Sequence, residues 1–362
     1  MIAGTLSRYF FRRYAMTTIW FLLGVMSIIF LVDFSETTSR TASIPGTGLT
    51  GALTLTLYHL PLILQQTIPF ITLFVGITTL VSLNRRYELV VTRAAGISVW
   101  QFMRPFILGS VLLGLVTIAI INPLAAAGSR AADQLETTWQ AGKSDGRRST
   151  FIPWMRQISG QQDTIVGART VREEGTLLVD PVFIHFDSEG RIVLRQDAAT
   201  AKLKDGYWLL NKVTEARPGQ IPKVIDSVQL RTNLKQEFVQ ERLTKPEAVA
   251  FLDLPAKIRA AKSFGVSSSE METQFHSLLS LPFLLVAMTM IAATVSLKFS
   301  RFNQSSSMIF GGIVSGFVLY VVTVLVKAFG SSGVVPPFVA AWIPVVVAMA
   351  IGATILLHQE DG

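Results

Sequence analysis

Catalysis by a polypeptide needs nucleophiles, bases or metal ligands at workable spacing, and this sequence offers few. The four histidines, His59, His185, His276 and His358, stand far apart, and no H-E-x-x-H or comparable ligand spacing exists. Cysteine is absent, which removes disulfides and thiolate metal sites together, so an exported region must rest on its core alone. Gly46-Thr47-Gly48-Leu49-Thr50-Gly51 spells G-x-G-x-x-G, but no strand precedes it and no acidic residue is placed to hold a ribose. Those glycines read as a hinge. No G-x-x-x-x-G-K-[ST] appears, so the chain by itself cannot cradle ATP phosphates in the P-loop manner. A membrane protease or metal transporter has no visible active site here, and no cofactor is expected on the chain.

The stretch with mechanical rather than catalytic promise is Asn84-Arg85-Arg86-Tyr87-Glu88-Leu89-Val90-Val91-Thr92-Arg93-Ala94-Ala95-Gly96, a charged insert between two long apolar runs. Its neighbours are lipid-like, so it must lie just outside a bilayer, and Arg85, Arg86, Arg93 and Arg104 put that side in the cytoplasm. As a helix, Leu89, Val90, Ala94 and Ile97 recur at three- and four-residue intervals, with Arg86, Glu88 and Arg93 off the stripe. An apolar stripe edged with charge and ended by Gly96 suits a helix lying on the membrane face and docking in a groove of a soluble partner. A basic loop that only sets topology is the plainer alternative.

The elements that must position this stretch follow from composition. Half of the 362 residues are hydrophobic and 15% are charged, with a mean hydropathy of +0.47, which excludes an ordinary soluble domain. The net charge of +8 comes largely from arginines flanking apolar runs, which explains it without nucleic acid. Apolar runs at Tyr14 to Phe34, Leu49 to Leu83 and Phe102 to Ala127 predict three crossings, with kinks at Pro61 and Pro69 and with Pro105 in a first helical turn. Arg8, Arg12 and Arg13 precede the first run, which ends without a convincing signal-peptidase site. Runs at Phe275 to Leu297, Met308 to Phe329 and Val335 to Leu357 predict three more. Arg8, Arg12, Arg13, Arg85, Arg86, Arg93, Arg104, Lys298 and Arg301 fall on one side and Arg40 on the other. That asymmetry predicts both termini in the cytoplasm.

Between the two halves, residues 128–266 are more polar and break into short alternating segments separated by turn residues, about the size of one domain. Strands are expected at Thr150 to Met155, Thr164 to Ala168, Pro181 to Phe186, Arg191 to Arg195, Ala199 to Leu203, Tyr207 to Leu210 and Val224 to Leu230, with turns at Asp187 to Gly190 and at Asp205-Gly206. Such spacing predicts an antiparallel sandwich or roll on the periplasmic side, followed by a short helix from Pro255 to Ser263. The expected fold is thus a polytopic α-helical membrane protein, six transmembrane helices in a 3+3 arrangement, with an inserted all-β domain. Its parts are residues 1–127 with a cytoplasmic helix over 84–97, the insert 128–266, and residues 267–362.

Three further features call for a function. Gly312 and Gly316 form G-x-x-x-G in the fifth crossing, with Gly311 and Ser315 alongside, which permits close helix contact with a partner or within the chain. Lys327, near the outer end of the same run, either snorkels to the interface or meets an anionic head group. Asp33 and Glu36 mark the outer end of the first crossing.

Tyr87 through Ser98 resembles the coupling-helix signature of the lipopolysaccharide export permeases, the LptF/LptG family. Leu6-Ser7-Arg8-Tyr9, Leu281-Pro282, Gly316 through Tyr320, and Pro336-Pro337 with Pro344 agree with it. Glu88-Leu89-Val90-Val91 looks closer to LptG than to its paralogue LptF. The resemblance implies an inner-membrane permease paired with a paralogous permease, LptF, on a dimeric cytoplasmic ATPase, LptB, beside the single-span LptC. It implies a jelly-roll-like β domain along which lipopolysaccharide leaves the outer leaflet, with ATP and magnesium held by the partner ATPase and no catalysis on this chain. On that pattern Arg86, Glu88 and Arg93 are charged contacts with the ATPase, Leu89, Val90 and Ala94 form the apolar face, and Gly96 ends the helix. The first and fifth crossings would form a lateral gate, bringing in Phe30, Asp33, Arg40, Gly312, Gly316, Tyr320 and Lys327. Where family members often carry lysines at the outer end of the first helix, this chain has Phe30, Glu36 and Thr37, with Arg40 the nearest cation, so either Arg40 with Lys327 makes the electrostatic contact with lipid or the lipid bears other charged groups. Two other readings compete. One is a scaffold or sensor whose exported domain binds a periplasmic partner, and the other is an ABC permease for another lipid or lipoprotein. Four-crossing relatives of the latter place the large insert after the first helix, against the 3+3 count here.

Overall fold

A computed structural model of the chain describes residues 2–42, 48–141, 155–159, 162–168, 170–172, 176–187, 191–204, 206–232, 245–263, 268–297 and 306–361. The chain divides into two compact units, Met1–Lys143 with Pro246–Gly362, and Ser144–Lys245. The expected hinge at Gly46, the strand residues before Met155, the turn residues 188–190 and Asp205, and the flanking charges Lys298 and Arg301 lie outside the described residues.

Helices α1 (Ile2–Thr41), α2 (Gly48–Arg85), α3 (Glu88–Ala94), α4 (Val99–Val116) and α5 (Asn122–Ala141) precede the β unit, and α6 (Leu254–Ser263), α7 (Ser269–Ser296), α8 (Ser306–Ser331) and α9 (Pro337–Asp361) follow it. Among the described residues, six stretches are long and apolar enough to cross a membrane: Gly4–Thr41, Gly48–Arg85, Val99–Glu136, Ser269–Ser296, Phe310–Ser331 and Pro337–His358. The 3+3 count therefore holds. The fourth span is the centre of the bundle, with 72% of its most apolar window buried, against 6% in the first span and 11% in the fifth. α7 packs on α2, α4, α8 and α9, whereas α1 packs on α2 and α4 alone among the pairs with extensive contact.

Close approach in the bundle depends on small residues. A Cβ at Gly109 would strike the Tyr14 ring, and one at Gly114 would lie 2.6 Å from the Pro282 Cα. Gly109 and Ser110 face α1 together. The Tyr14 hydroxyl lies 2.9 Å from Ser110 Oγ, which is 2.5 Å from Thr289 Oγ1, so a hydrogen-bonded thread joins α1, α4 and α7 where no water is at hand.

Several boundaries differ from expectation. Residues 128–141, expected in the insert, continue the third span as α5, and residues 246–263 pack with the membrane unit. The cue for a boundary at Gly128 was rising polarity, but Gly128 packs so tightly on α2 that a Cβ there would meet the Tyr58 carbonyl oxygen. Pro105 sits in the second turn of a helix that begins at Val99, because Ser98 caps it by accepting the Gln101 N–H at 3.3 Å. Pro61 and Pro69 lie inside one continuous helix, α2.

Between α4 and α5 the third span carries a five-residue π-turn, Thr117–Ile121. The extra residue per turn displaces the helix face and leads into Asn122, which is 1% exposed. Its amide donates to Gln65 Oε1 at 3.3 Å, and its Oδ1 accepts the Phe251 N–H at 2.8 Å. Phe251 in turn stacks on Phe275, centroids 5.2 Å apart and planes at 5°. The returning chain is thus pinned to the second and third spans. Asn122→Ala leaves a buried amide N–H and the Gln65 oxygen unpaired, and is expected to cost about 1–3 kcal/mol, read as a lower melting temperature of the detergent-solubilised protein.

The β unit holds eight described strands: β1 (Met155–Ser159), β2 (Gln162–Gly167), β3 (Thr170–Arg172), β4 (Leu177–Val179), β5 (Val182–Phe186), β6 (Ile192–Lys204), β7 (Tyr207–Ala216) and β8 (Lys223–Arg231). They form one antiparallel sheet. The two strands expected at 191–195 and 199–203 are one strand, β6, which pairs with β5 and then β4 along one edge and with β7 along the other. Lys212 at φ +52° lets the buried side of β7 change phase, so that Trp208, Leu210 and Val213 all point into the core with Phe183, Ala201 and Leu203.

Polar side chains are buried alongside that core, and Thr164, His185 and Gln196 form a bonded row among them. His185 is 3% exposed, its Nε2 is 3.0 Å from Gln196 Oε1, and its Nδ1 is 2.9 Å from Thr164 Oγ1. Because the Gln196 amide donates to Glu215 at 2.5 Å, its oxygen accepts, so Nε2 carries the proton and Nδ1 accepts from Thr164. Burial holds the His185 pKa below the ordinary 6.5, against smaller opposing effects of Gln196 and Glu215. Since the folded state resists protonation, the stability contributed is present above 6.5 and is lost as the pH falls below it. Amide exchange in β5 is expected to speed up between pH 7 and 5 beyond its intrinsic pH dependence, and His185→Gln should flatten that response.

Candidate coupling surface

α3 is set off by two left-handed residues. Tyr87 at φ 60° turns the chain out of α2, and Gly96 at φ +80° ends the helix, with the Gly96 N–H donating to the Arg93 carbonyl at 2.9 Å. An aromatic residue in that region carries strain of about 1 kcal/mol or more, and Tyr87 does so with 68% of its surface exposed. Seven residues would not hold a helix alone. Leu89, 2% exposed, roots α3 in the buried cluster of Phe10, Tyr14, Val99, Phe102, Met103 and Phe106.

That rooting corrects the expected face. Leu89 and Thr92, three residues apart, point into the protein, and the Thr92 hydroxyl bonds the Glu88 carbonyl at 2.7 Å. The outward stripe is Tyr87, Val91, Ala94 and Ala95, with Val91 67% exposed. Of the apolar trio Leu89, Val90 and Ala94, only Ala94 is fully outward. Val90 is half-buried beside a cleft of about 200 Å³ lined also by Asn84, Leu89, Arg93 and Leu297. Tyr87 and Val91 were missed because periodicity finds an apolar stripe without saying which way it faces, and the seven-residue helix has two.

The charges separate in the same way. Arg86 and Arg93 are exposed at the edges of the outward stripe. Glu88 is drawn inward: its Oε1 lies 3.2 Å from Arg13 Nη1 and accepts from the Tyr9 hydroxyl at 3.4 Å.

A family model described as lipopolysaccharide export system permease LptF/LptG matches residues 8–358. The chain belongs to the LptF/LptG family. A search among curated proteins returned no match. The match spans both membrane halves and the β unit, so the LptF/LptG pattern of an antiparallel β-sheet inserted between helical halves is the architecture of this chain. It is an integral membrane protein and a transporter component. LptF and LptG are not told apart by the match.

The residues expected at an LptF/LptG lipid gate do not form one site. Phe30 stacks on Phe34, centroids 5.8 Å apart, one turn along α1. Asp33 accepts from Thr37 at 3.4 Å and lies 3.5 Å from His59 Nδ1, tying α1 to α2. Arg40 pairs with Glu36 at 3.7 Å on the exposed side. On α8, Gly312 and Gly316 face the chain itself, against Val295 and Leu73, and Tyr320 packs on Phe70 at 4.4 Å. The G-x-x-x-G pair is therefore intrachain packing, while a Cβ at Gly311 would meet nothing within 4 Å. Lys327 does not snorkel: its ammonium donates to Gln274 Oε1 on α7 at 2.8 Å.

Proposed function

We propose that this chain is the permease subunit of an ATP-driven lipopolysaccharide extractor, most similar to LptG, and that its work is mechanical. A partner ATPase of the LptB kind supplies hydrolysis with its own ATP and magnesium, a paralogous LptF-type permease completes the cavity, and a single-span LptC-type protein adjoins it. The observation that carries this reading is α3: a short helix between the second and third spans, rooted by Leu89, that offers Tyr87, Val91, Ala94 and Ala95 outward between Arg86 and Arg93. An apolar stripe with a cationic edge fits a groove that is itself apolar with acidic flanks. The first and fifth spans, least covered within the chain, suit helices that meet a second permease or lipid. Both termini and α3 lie in the cytoplasm, and the β unit, jelly-roll-like, lies in the periplasm of the bacterial inner membrane. Lipid acyl chains lodge in an apolar cavity whose volume changes as the helices shift. Arg40 and Lys327 serve the head group only after leaving Glu36 and Gln274.

Two measurements test this. Affinity purification of the tagged chain from membranes should bring down a nucleotide-hydrolysing subunit, a second permease and bound lipopolysaccharide. A cysteine placed at Gln101, exposed in the first turn of α4 beside α3, should react with a membrane-impermeant maleimide only in inverted vesicles. Labelling at Gln101 from the periplasmic side, or a complex without an ATPase, ends the proposal.

A further inference from the structure

Three arginines precede the first span, and they are not alike. Arg8 and Arg12 are exposed, as residues that only set topology should be. Arg13 is turned inward and its guanidinium is divided among three helices: Nη1 donates to Glu88 Oε1 of α3 at 3.2 Å and to the Tyr9 hydroxyl of α1 at 2.9 Å, and Nη2 donates to Ser82 Oγ of α2 at 2.9 Å. This fork needs a planar group with several fixed N–H directions, which lysine lacks. The next residue, Tyr14, is 1% exposed and begins the hydroxyl thread to Ser110 and Thr289. Below it, Leu89 of α3 shares a buried cluster with Phe10 and Tyr14.

We propose that Arg13 is the positioning residue through which α3 moves the first span: a push on α3 from the cytoplasm is delivered to α1 by the Glu88–Arg13–Tyr9 cluster and passed by Tyr14 to the third and fourth spans. The proposal deepens the functional reading above and rests on it. A contact through Leu89 alone would let α3 roll on α1, because apolar packing is non-directional. The charged fork fixes the angle between them.

The test uses the whole complex in proteoliposomes containing lipopolysaccharide. Because the chain has no cysteine, single cysteines carrying spin labels go at Met16 of α1, which is exposed, and at Val90 of α3, which is half-buried and off the outward stripe. Lipid extracted per ATP hydrolysed is measured beside the interlabel distance. Arg13→Gln is expected to lower lipid moved per ATP about tenfold and to broaden the distance distribution, Arg13→Lys to fall between, and Arg12→Gln to match the parent. Exchange of the pair, Arg13→Glu with Glu88→Arg, should recover most of what Arg13→Glu alone loses, which a loss of folding would not allow. A coupled parent whose Arg13→Gln variant moves as much lipid per ATP with an unchanged distance distribution overturns the latch and leaves the functional reading standing. A parent complex that hydrolyses no ATP overturns both.

Discussion

Val91→Asp should strip the ATPase from the purified permease while the permease itself stays folded. Val91 is the centre of the outward stripe of α3 and is 67% exposed, so in the free chain a carboxylate there stays in water and changes stability by less than about 0.5 kcal/mol. Docked in an apolar groove, the same carboxylate is desolvated without a partner, and central interface positions of this kind cost about 2–4 kcal/mol. The expected result is a loss of ATPase affinity of about 100-fold, read as an absent band after affinity purification and as lost lipid-stimulated hydrolysis, with an unchanged melting temperature. Leu89→Asp should give the opposite pattern, loss of folding first, because that side chain is in the core. If Val91→Asp holds its ATPase as tightly as the parent does, the outward stripe is not the docking surface.

Gly128→Val should be the most destabilising substitution of a small residue in the third span. A Cβ at this position meets the Tyr58 carbonyl oxygen. A backbone oxygen inside a packed helix pair cannot rotate away, so the helices must part. Overpacking costs about 1–3 kcal/mol where side chains can yield, and more is expected here. Gly311→Val, with nothing within 4 Å of its Cβ, should be tolerated within about 0.5 kcal/mol. Thermal unfolding in detergent separates the two, and equal melting temperatures would mean that α5 does not lie against α2 as described.

Much of the architecture was legible because lipid imposes a length and a composition on each crossing. The runs at Tyr14 to Phe34 and Val335 to Leu357 could hardly be anything else. The interior of the bundle was not legible, since within an apolar run hydropathy does not tell Leu73, fully buried, from Leu108, 62% exposed. The π-turn at 117–121 left no composition signal. In the β unit, alternation located β5, β7 and β8, but β6 looked like two strands because its pattern shifts phase between Ala198 and Ala201, both buried. At the candidate site the stretch itself stood out by charge. Its orientation did not, because Leu89 and Val91 are equally apolar, and only the contact with Phe10 and Tyr14 decides which one the solvent sees.

The bond from Phe251 to Asn122 bears on how such a protein could be rebuilt. The returning segment is fastened to the helical unit before the chain re-enters its fourth span, and the departing helix α5 is braced along α2. Residues 144–245 lie, in the sequence, between those two anchorages. A graft replacing them with an unrelated folded module should leave both anchorages intact, so the six spans would still assemble around a foreign cargo arm.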